Sequence, residues 1–442
     1  MKFFVFDAEL MATALAWRLK LEGNDVRVFS RQPSGREHLL NMVKHVPSLD
    51  AGLSWVGRDG IVICGDEQDL TPIRRRGFKC YGGNSITQKM EDERFFQHKI
   101  AKSCGIKVPN AHQVKSVDEA ISFIRSHPDQ WVLKQMGDAP KSWNFVGKKK
   151  DGSDVMDQLE WFKTQPEFKA GKPVPFMLQE IVDGIEFATS GWWQGNDWKR
   201  RDDGTPLIEV NFEHKKSLTG NLGSTCGEAG TVTKFPEGNQ KLFDATLGKL
   251  TQFLKQNCKD VFLNIDANCG IDEDTGEAWL FELTPREGYP SQSVIIHLLD
   301  MDTGKFFADL VNGVSGEIET KPHWGVVTVL GAGNYPLETT EGKHVGSYKG
   351  QPVEIPQWEK TIDSHIHPGY ISYDPKRDFF RIADNYADVL TVTHCEDDIS
   401  DANRQCVEDM KKIIVRAPHY RLDIGEKAQK VEIPKLEALG YL

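Results

Sequence analysis

Two carboxylates stand on neighbouring predicted strands in the middle of the chain. The strands run over 261–267 and 278–283, and they carry Asp266 and Glu282. Because Mg²⁺ prefers one or two carboxylates together with phosphate oxygens, this pair could hold one magnesium ion against a bound phosphate. Two acids on adjacent strands also occur without a shared function, and the pair alone leaves that alternative open.

Lysines flank a polar loop that follows a predicted strand at 130–135. Lys134 lies on this strand, Lys141 lies in the loop MGDAPKS at 136–142, and a further strand is predicted near 144–147. Two strands around such a loop suit a lid over phosphates, because cations neutralise phosphate charge. A surface hairpin with ordinary lysines is the alternative.

A histidine-lysine pair precedes a segment rich in glycine. The run EVNFEHKK at 209–216 leads into 218–230, which holds four glycines. Glycine-rich polar backbone beside His214 and Lys215 can approach and bind an anion. This segment is therefore a further candidate for phosphate or carboxylate binding.

An α/β scaffold is predicted around these residues. A strand at 2–6, a helix at 8–22 and a strand at 25–29 form a βαβ opening. The strands predicted at 60–64 and 78–81 run directly into polar or glycine turns, which is where parallel sheets place ligands. One long helix is predicted over 240–258, ahead of the two strands that carry the acids.

Length and charge limit the class of protein. The 442 residues predict roughly three structural units, since a domain usually has about 100–200 residues. The formal net charge is −11, so a protein that binds nucleic-acid backbone over a broad surface is disfavoured, although a local basic cleft is not.

Cysteine spacing and hydropathy predict a cytoplasmic protein without a membrane partner. The eight cysteines never come closer than 11 positions, so the chain has no CxxC zinc pair, and we expect reduced thiols. The longest apolar stretch, near 324–332, is far shorter than the roughly 20 residues that span a bilayer. His365-Ile366-His367 has a spacing that could chelate zinc, but such a pair on a strand is more often surface.

In their order, these segments resemble the ATP-grasp ligases, and most closely the family of phosphoribosylamine–glycine ligases. The resemblance covers nearly the whole chain, and the similar pieces are ALAW at 14–17, GDEQDL at 65–70, YGG at 81–83, QEIVDGIE at 179–186, EHK at 213–215, GNLGST at 220–225, FELTPREGYP at 281–290, GVV at 325–327, GNYP at 333–336, HPG at 367–369 and YRLDIG at 420–425. Each piece is weak by itself, and their common order makes the resemblance specific.

The resemblance implies an ATP-grasp fold of class α/β with three domains. A Rossmann-like pre-ATP-grasp domain is expected over 1–88, and an ATP-grasp domain over 89–320 with a lid subdomain at about 113–185. A C-terminal α/β domain is expected over 321–442.

The resemblance also implies ATP and Mg²⁺ as cofactors, and it suggests a role for individual residues. ATP binding is expected at Arg94, Lys134, Lys141, Gln179, Glu180, Val182 and Glu186. Substrate binding is expected at Glu213, His214, Asn221, Gly223, Ser224 and Gly288. Lys215 and Arg286 would be catalytic, by stabilising charge on the transferring phosphoryl group, and Asp266 and Glu282 would hold the metal.

Departures from the family pattern concern the metal and the acceptor. The family's glycine loop before ALAW is replaced by DAELMAT at 7–13, whose two acids would repel a sugar phosphate. Thr284 stands where the family has a metal-binding asparagine, and this substitution leaves conservation of the family reaction an open question.

The sequence thus predicts an ATP-dependent carboxylate–amine ligase of purine biosynthesis type, which forms an amide through an acyl phosphate. Small-molecule amino acid and amine substrates are expected. One alternative is a ligase that joins an amino acid such as glycine to a different nucleotide-like or nucleic-acid amine. The other is a nucleotide-binding regulatory protein that has lost catalysis.

Overall fold

The computed structural model describes residues 1–136, 143–168, 176–314, 318–333, 348–356, 358, 365–385 and 388–442, and it confirms the mixed α/β class. The strands are β1 Lys2–Asp7, β2 Asp25–Ser30, β3 Lys44–His45, β4 Ile61–Cys64, β5 Lys79–Tyr81, β6 Ala111–Gln113, β7 Trp131–Gln135, β8 Phe145–Val146, β9 Phe176–Glu180, β10 Ile185–Gln194, β11 Ile208–Glu213, β12 Lys216–Leu218, β13 Leu222–Thr225, β14 Gly230–Lys234, β15 Phe262–Ile271, β16 Ala278–Thr284, β17 Trp324–Ala332, β18 Pro352–Glu354, β19 Ile366–Pro368, β20 Ile371–Asp374, β21 Phe379–Ile382, β22 Asp388–Glu396, β23 Ile414–Val415 and β24 Pro418–His419.

The α-helices are α1 Thr13–Leu21, α2 Leu49–Val56, α3 Thr71–Arg74, α4 Ser85–Asp92, α5 Arg94–Ser103, α6 Val117–Ser126, α7 Ser153–Phe162, α8 Gln240–Ala245, α9 Thr251–Asn257, α10 Ser291–Leu298, α11 Thr303–Val311, α12 Ile399–Met410 and α13 Ile433–Ala438. Within the described ranges, no helix combines the length and apolarity needed to cross a bilayer.

The chain begins with a five-stranded parallel sheet in the order β3-β2-β1-β4-β5. Residues 3–7 of β1 are buried, as expected for a central strand that is covered on both faces. The strand order reverses at β1, so the loops after β1 and β4 meet at the carboxyl edge of the sheet.

A larger antiparallel sheet forms the middle of the molecule. Eight of its strands follow the order β16-β15-β10-β11-β14-β17-β22-β19, and β24 pairs with β17 beside this path. β14 pairs directly with β17, so the sheet continues from the middle of the chain into its C-terminal part. The three-domain division at 88 and 320 stays a prediction.

Two four-stranded sheets lie outside this body. The sheet β6-β9-β7-β8 carries α6 and α7 and has its own apolar core, which includes Leu133, Phe162 and Phe176. The other sheet, β20-β21-β18-β23, belongs to the C-terminal part. We call the first of these the lid sheet.

The prediction of a single helix over 240–258 is wrong. The chain forms α8, a 3₁₀ turn at Leu247–Leu250 and then α9. Thr246 Oγ1 donates a hydrogen bond to the carbonyl oxygen of Leu242 at 2.6 Å, and such back-bonding bends helices. Gly248 lies so close to Phe243 that a Cβ there would meet its carbonyl oxygen at 2.8 Å.

Candidate active site

One face of the large sheet is polar across four strands. Glu282 on β16 lies opposite Asn268 on β15, which lies opposite Ala188 on β10, and this residue lies opposite Asn211 on β11. Cross-strand partners share a face, and side chains two positions apart along a strand do too. The face therefore also carries Glu186, Glu213 and Asp266, each of which stands two residues from a member of this row.

Ion pairs connect this polar face to two cations. Arg94, at the start of α5, lies 2.8 Å from Glu282 through Nη2 and Oε1. Lys215 lies between β11 and β12, and its Nζ is 2.9 Å from Glu213 Oε2 and 3.5 Å from Glu186 Oε1. The Glu282 and Lys215 side chains are each 40% exposed, so a ligand can reach these charges from solvent.

Lys134 reaches the same group from the lid sheet. Burial lowers the pKa of Lys134 to about 7, and the charges of Arg94 and Lys215 act in the same direction. Burial alone would raise the pKa of Glu282, but Arg94, Lys134 and Lys215 outweigh it and hold that pKa well below its usual range. The cations are thus crowded around one carboxylate, and a bound polyanion would relieve their mutual repulsion.

The sequence-predicted magnesium ligands fit a metal ion in this arrangement. Asn268 is buried, and its Oδ1 has no hydrogen-bond partner, although it lies directly across from Glu282. Asp266 lies diagonally across from Glu282 on the same face. Three oxygen-bearing side chains therefore share this face of the sheet, and oxygen is the ligand type that Mg²⁺ takes.

A second group of acids extends the polar face away from Arg94. Asn211 Nδ2 donates to Glu209 Oε1 at 2.9 Å and to Asp266 Oδ1 at 3.4 Å. Burial raises the pKa of Glu209 to about 8, and burial together with the charge of Glu213 raises the pKa of Asp266 and of Glu228 well above their usual range. Glu209 Oε2 and Glu228 Oε1 have no hydrogen-bond partner. This acidic end could accept hydrogen bonds from an ammonium or amine group.

The sequence reasoning missed Glu209, Asn211, Glu228 and Asn268. Alternation in EVNFE at 209–213 and in NIDAN at 264–268 places every second polar residue on one face. That periodicity was the available signal, and it indicates a polar face only once the strands are known to pair.

Arg286 forms its ion pairs with acids from the first part of the chain. Its Nη2 lies 2.7 Å from Glu91 Oε1 on α4, and its Nε lies 3.8 Å from Glu67 Oε2 after β4. Burial would lower the pKa of Arg286, but these two acids outweigh it and raise the pKa. Gly288 follows two residues later, and a Cβ there would meet Ser291 Oγ at 2.5 Å.

The glycine-rich segment is tied to the C-terminal part. Nε2 of His214 accepts the backbone N–H of Gly425 at 3.1 Å, and burial, aided by the Arg421 charge, lowers the pKa of His214 to about 4. Asn221 Oδ1 accepts a hydrogen bond from Arg421 Nη1 at 2.8 Å. The side chains of His214 and Asn221 thus hold the chain together here, and substrate contact by them stays a prediction.

Two further substrate-binding candidates lie on β13. Gly223 has φ +77°, in the left-handed region, and a Cβ there would meet Ser217 Oγ at 2.6 Å. Ser224 is exposed, so its hydroxyl group is accessible to a ligand. Both residues stay candidates.

The hinge residues lie at the end of the lid sheet. Gln179 is buried with Oε1 unpartnered, and the backbone N–H of Glu180 donates to the carbonyl oxygen of Asn110 at 3.0 Å. Adenine recognition by the backbone of Glu180 and Val182, which the resemblance implies, stays a prediction. Lys141 lies outside the described residues.

In the loop after β1, backbone N–H groups donate hydrogen bonds to the carboxylate of Asp7, the last residue of β1. Asp7 is fully buried, and it accepts backbone N–H groups from Met11 at 2.9 Å and from Ala12 at 3.3 Å. Burial, with the nearby charge of Asp66, raises the pKa of Asp7 to about 7. These amides thus already donate hydrogen bonds to the protein, and the expectation that this loop does not hold a sugar phosphate stays a prediction.

No model of a known protein family matches the chain. Among curated proteins, the chain is 21% identical over 382 residues to phosphoribosylamine–glycine ligase of Halalkalibacterium halodurans, covering 85% of this chain and 82% of the relative. It is 20% identical over 398 residues to the Streptococcus pneumoniae enzyme of the same name, covering 88% and 87%. Among solved structures, phosphoribosylamine–glycine ligase of Thermotoga maritima superposes with a TM-score of 0.71 at 15% identity, covering 96% of this chain and 100% of the other.

Proposed function

We propose that this chain, which has the ATP-grasp fold, is an ATP- and magnesium-dependent ligase that joins a carboxylate to an amine. The observation that carries the proposal is the convergence of Lys134, Arg94 and Lys215 around Glu282, between the lid sheet and the polar face of the large sheet. Three cations at one accessible carboxylate suit a triphosphate with its metal ion.

In this proposal each charged group has a separate task. Lys134 and Arg94 neutralise the phosphates, and Lys215 stabilises charge on the transferring phosphoryl group. Glu186, whose side chain is 57% exposed beside Lys215, accepts the ribose hydroxyl groups. Glu282, Asn268 and Asp266 would hold Mg²⁺, which supplies charge neutralisation at the β- and γ-phosphates.

Amide formation then follows from positioning. The carboxylate of one substrate attacks the γ-phosphorus and gives an acyl phosphate and ADP. The amine attacks the acyl carbon, phosphate leaves, and the nitrogen loses a proton. The protein supplies no covalent nucleophile, so charge neutralisation and orientation are sufficient.

The acceptor amine is proposed to differ from phosphoribosylamine. The amides after β1 are bonded to the Asp7 carboxylate, so they do not offer a sugar phosphate the donors that it needs. The acidic end around Glu209 and Glu228 suits an ammonium group instead. We propose small-molecule substrates with an amino acid as the carboxylate donor. We also propose a cytosolic location, since the cysteines of the described residues form no disulfide bond.

ADP release with Mg²⁺-ATP, a panel of amino acids and a panel of amines tests the reaction. We expect release only when an amino acid is present, and we expect hydroxylamine to trap its acyl phosphate as a hydroxamate. Turnover in the Glu282→Gln variant should fall at least 100-fold, about 2.7 kcal/mol in activation free energy.

Glu273→Gln is the matched control. Glu273 lies in the turn after β15. Among the described residues, its one ion pair joins it to Lys435 at 2.6 Å, so removing the Glu273 charge should leave turnover unchanged. Equal turnover in the Glu282→Gln and Glu273→Gln proteins would refute the metal site. Tight Mg²⁺-ATP binding without any substrate-dependent turnover would favour the regulatory alternative.

A further inference from the structure

Two histidines and an aspartate meet at the edge of the large sheet, in the C-terminal part of the chain. His394 lies near the end of β22, His365 directly precedes β19, and Asp409 lies in the last turn of α12, which packs on β22. His394 Nε2 lies 2.8 Å and His365 Nε2 lies 3.1 Å from the same atom, Asp409 Oδ2. The three atoms all lie within 4.8 Å of one another.

These distances suit a tetrahedral metal ion. Zinc binds imidazole nitrogen at about 2.0–2.1 Å and carboxylate oxygen at about 2.0–2.2 Å, which puts neighbouring ligand atoms roughly 3.3 Å apart. Two of the three separations are within about half an ångström of that value. The three side chains are 16–20% exposed, so an ion could enter from solvent.

Two features hold Asp409 in place for a metal. Lys412 Nζ donates to Oδ1 at 2.7 Å, which leaves Oδ2 directed at the histidines. The C-terminal end of α12 carries a partial negative charge, which adds to the attraction for a cation. The group thus combines an oriented carboxylate with two imidazole side chains.

We propose that His365, His394 and Asp409 bind a divalent transition-metal ion of the Zn²⁺ type, with water in the remaining coordination position. The ion connects α12 to the edge strand β19 and to its neighbour β22. This site is separate from the ATP site, and it does not depend on the proposed ligase activity. Without a metal, the same three groups would remain a hydrogen-bonded triad.

Metal titration of chelator-treated protein tests the site. We expect one Zn²⁺ per chain by calorimetry, and Co²⁺ should give the visible bands of a tetrahedral nitrogen–oxygen site without thiolate charge transfer. His394→Ala and Asp409→Asn should each weaken Zn²⁺ binding at least tenfold. Thiolate charge transfer in the Co²⁺ spectrum would overturn the proposal. So would a Zn²⁺ affinity of both variants that lies within threefold of the wild-type value.

A histidine–aspartate pair elsewhere serves as the matched control. His323 Nδ1 lies 2.8 Å from Asp397 Oδ1, which is the same chemistry without a third ligand among the described residues, so His323→Ala should leave Zn²⁺ affinity unchanged. Loss of affinity in this variant equal to that of His394→Ala would contradict the site.

A folding control separates lost ligands from lost structure. Zn²⁺ should raise the melting temperature of the wild-type protein, because the ion binds the folded state. His365→Gln replaces a half-buried ligand at the start of an edge strand, and its metal-free melting temperature shows whether it is folded. A Zn²⁺-induced rise in folded His365→Gln equal to that of the wild type would overturn the proposal.

Discussion

ATP binding should take up a proton at Lys134 above neutral pH. Burial lowers the pKa of this lysine to about 7, so at pH 8 only about a tenth of the free protein carries the charge. Phosphate oxygens within about 4–6 Å favour the charged form, and the complex should hold Lys134 protonated. The expected uptake is about 0.9 proton per nucleotide at pH 8, about 0.5 at pH 7 and about 0.1 at pH 6.

The affinity for ATP should follow the same linkage. Because binding takes up a proton, the association constant falls as the pH rises, by nearly tenfold per pH unit above pH 8 and by less around pH 7. Below pH 6 the lysine is already charged in the free protein, and the affinity should become independent of this group.

Calorimetry with Mg²⁺ and a non-hydrolysable ATP analogue, in two buffers of different ionisation enthalpy, measures the uptake directly. Lys134→Arg is the control, since a guanidinium group stays charged across this range. Subtracting the variant removes contributions from other groups such as Glu209, whose pKa is raised to about 8. Equal uptake in both proteins at pH 8 would refute the role of Lys134, as would wild-type uptake that does not fall between pH 8 and pH 6.

Three further substitutions test the scaffold. Arg421 is buried and forms two 2.8 Å contacts with Asp423, so Arg421→Ala should lower the free energy of unfolding by about 3 kcal/mol, measured by urea denaturation; a loss below about 1 kcal/mol would contradict this role. The pKa of Asp7 is about 7 in the folded protein and 3.8 for an ordinary aspartate, so its stabilising contribution is present below pH 4 and is lost as the pH rises to 7. The loss in unfolding free energy should be about 4 kcal/mol, from about three pKa units at about 1.4 kcal/mol each. In Asp7→Asn, this part of the dependence of unfolding free energy on pH should disappear. Both carboxylate oxygens of Glu22 accept backbone N–H groups at the start of α11 at 2.9 Å. Glu22→Ala should therefore lower the free energy of unfolding by about 1–2 kcal/mol. An unchanged melting temperature would show that Asp302 caps this helix alone.

Much of the fold follows from local patterns in the sequence. The apolar run of β1 and the turn before β2 predict the βαβ unit, because a short continuous apolar run is typical of a strand that is buried on both faces. The prediction of one helix over 240–258 was wrong. The apolar residues there keep a helical period, but the hydrogen bond from Thr246 to Leu242 and the close approach of Gly248 to Phe243 interrupt the helix, and a hydrophobic pattern does not report such local contacts.

Some residues of the candidate site could likewise be selected from the sequence, and others could not. Residue types were sufficient to select Lys134, Lys215 and Glu282, since each stands at a strand end or face beside a recognisable segment. The partner of Arg286 could not be inferred, because Glu91 is 195 positions away along the chain. Asn268 became visible only through the pairing of β15 with β16, which sets which polar side chains share the face.

The pairing of β14 with β17 bears on how the molecule unfolds. Eight hydrogen-bonded strands run without interruption across position 320, so the two flanking parts should lose structure together in one cooperative step. A chain truncated at residue 320 would leave β14 as a bare edge strand, which is a template for aggregation. The lid sheet, which has a core of its own, should instead open at a lower free energy, and hydrogen exchange there should be faster than in the large sheet.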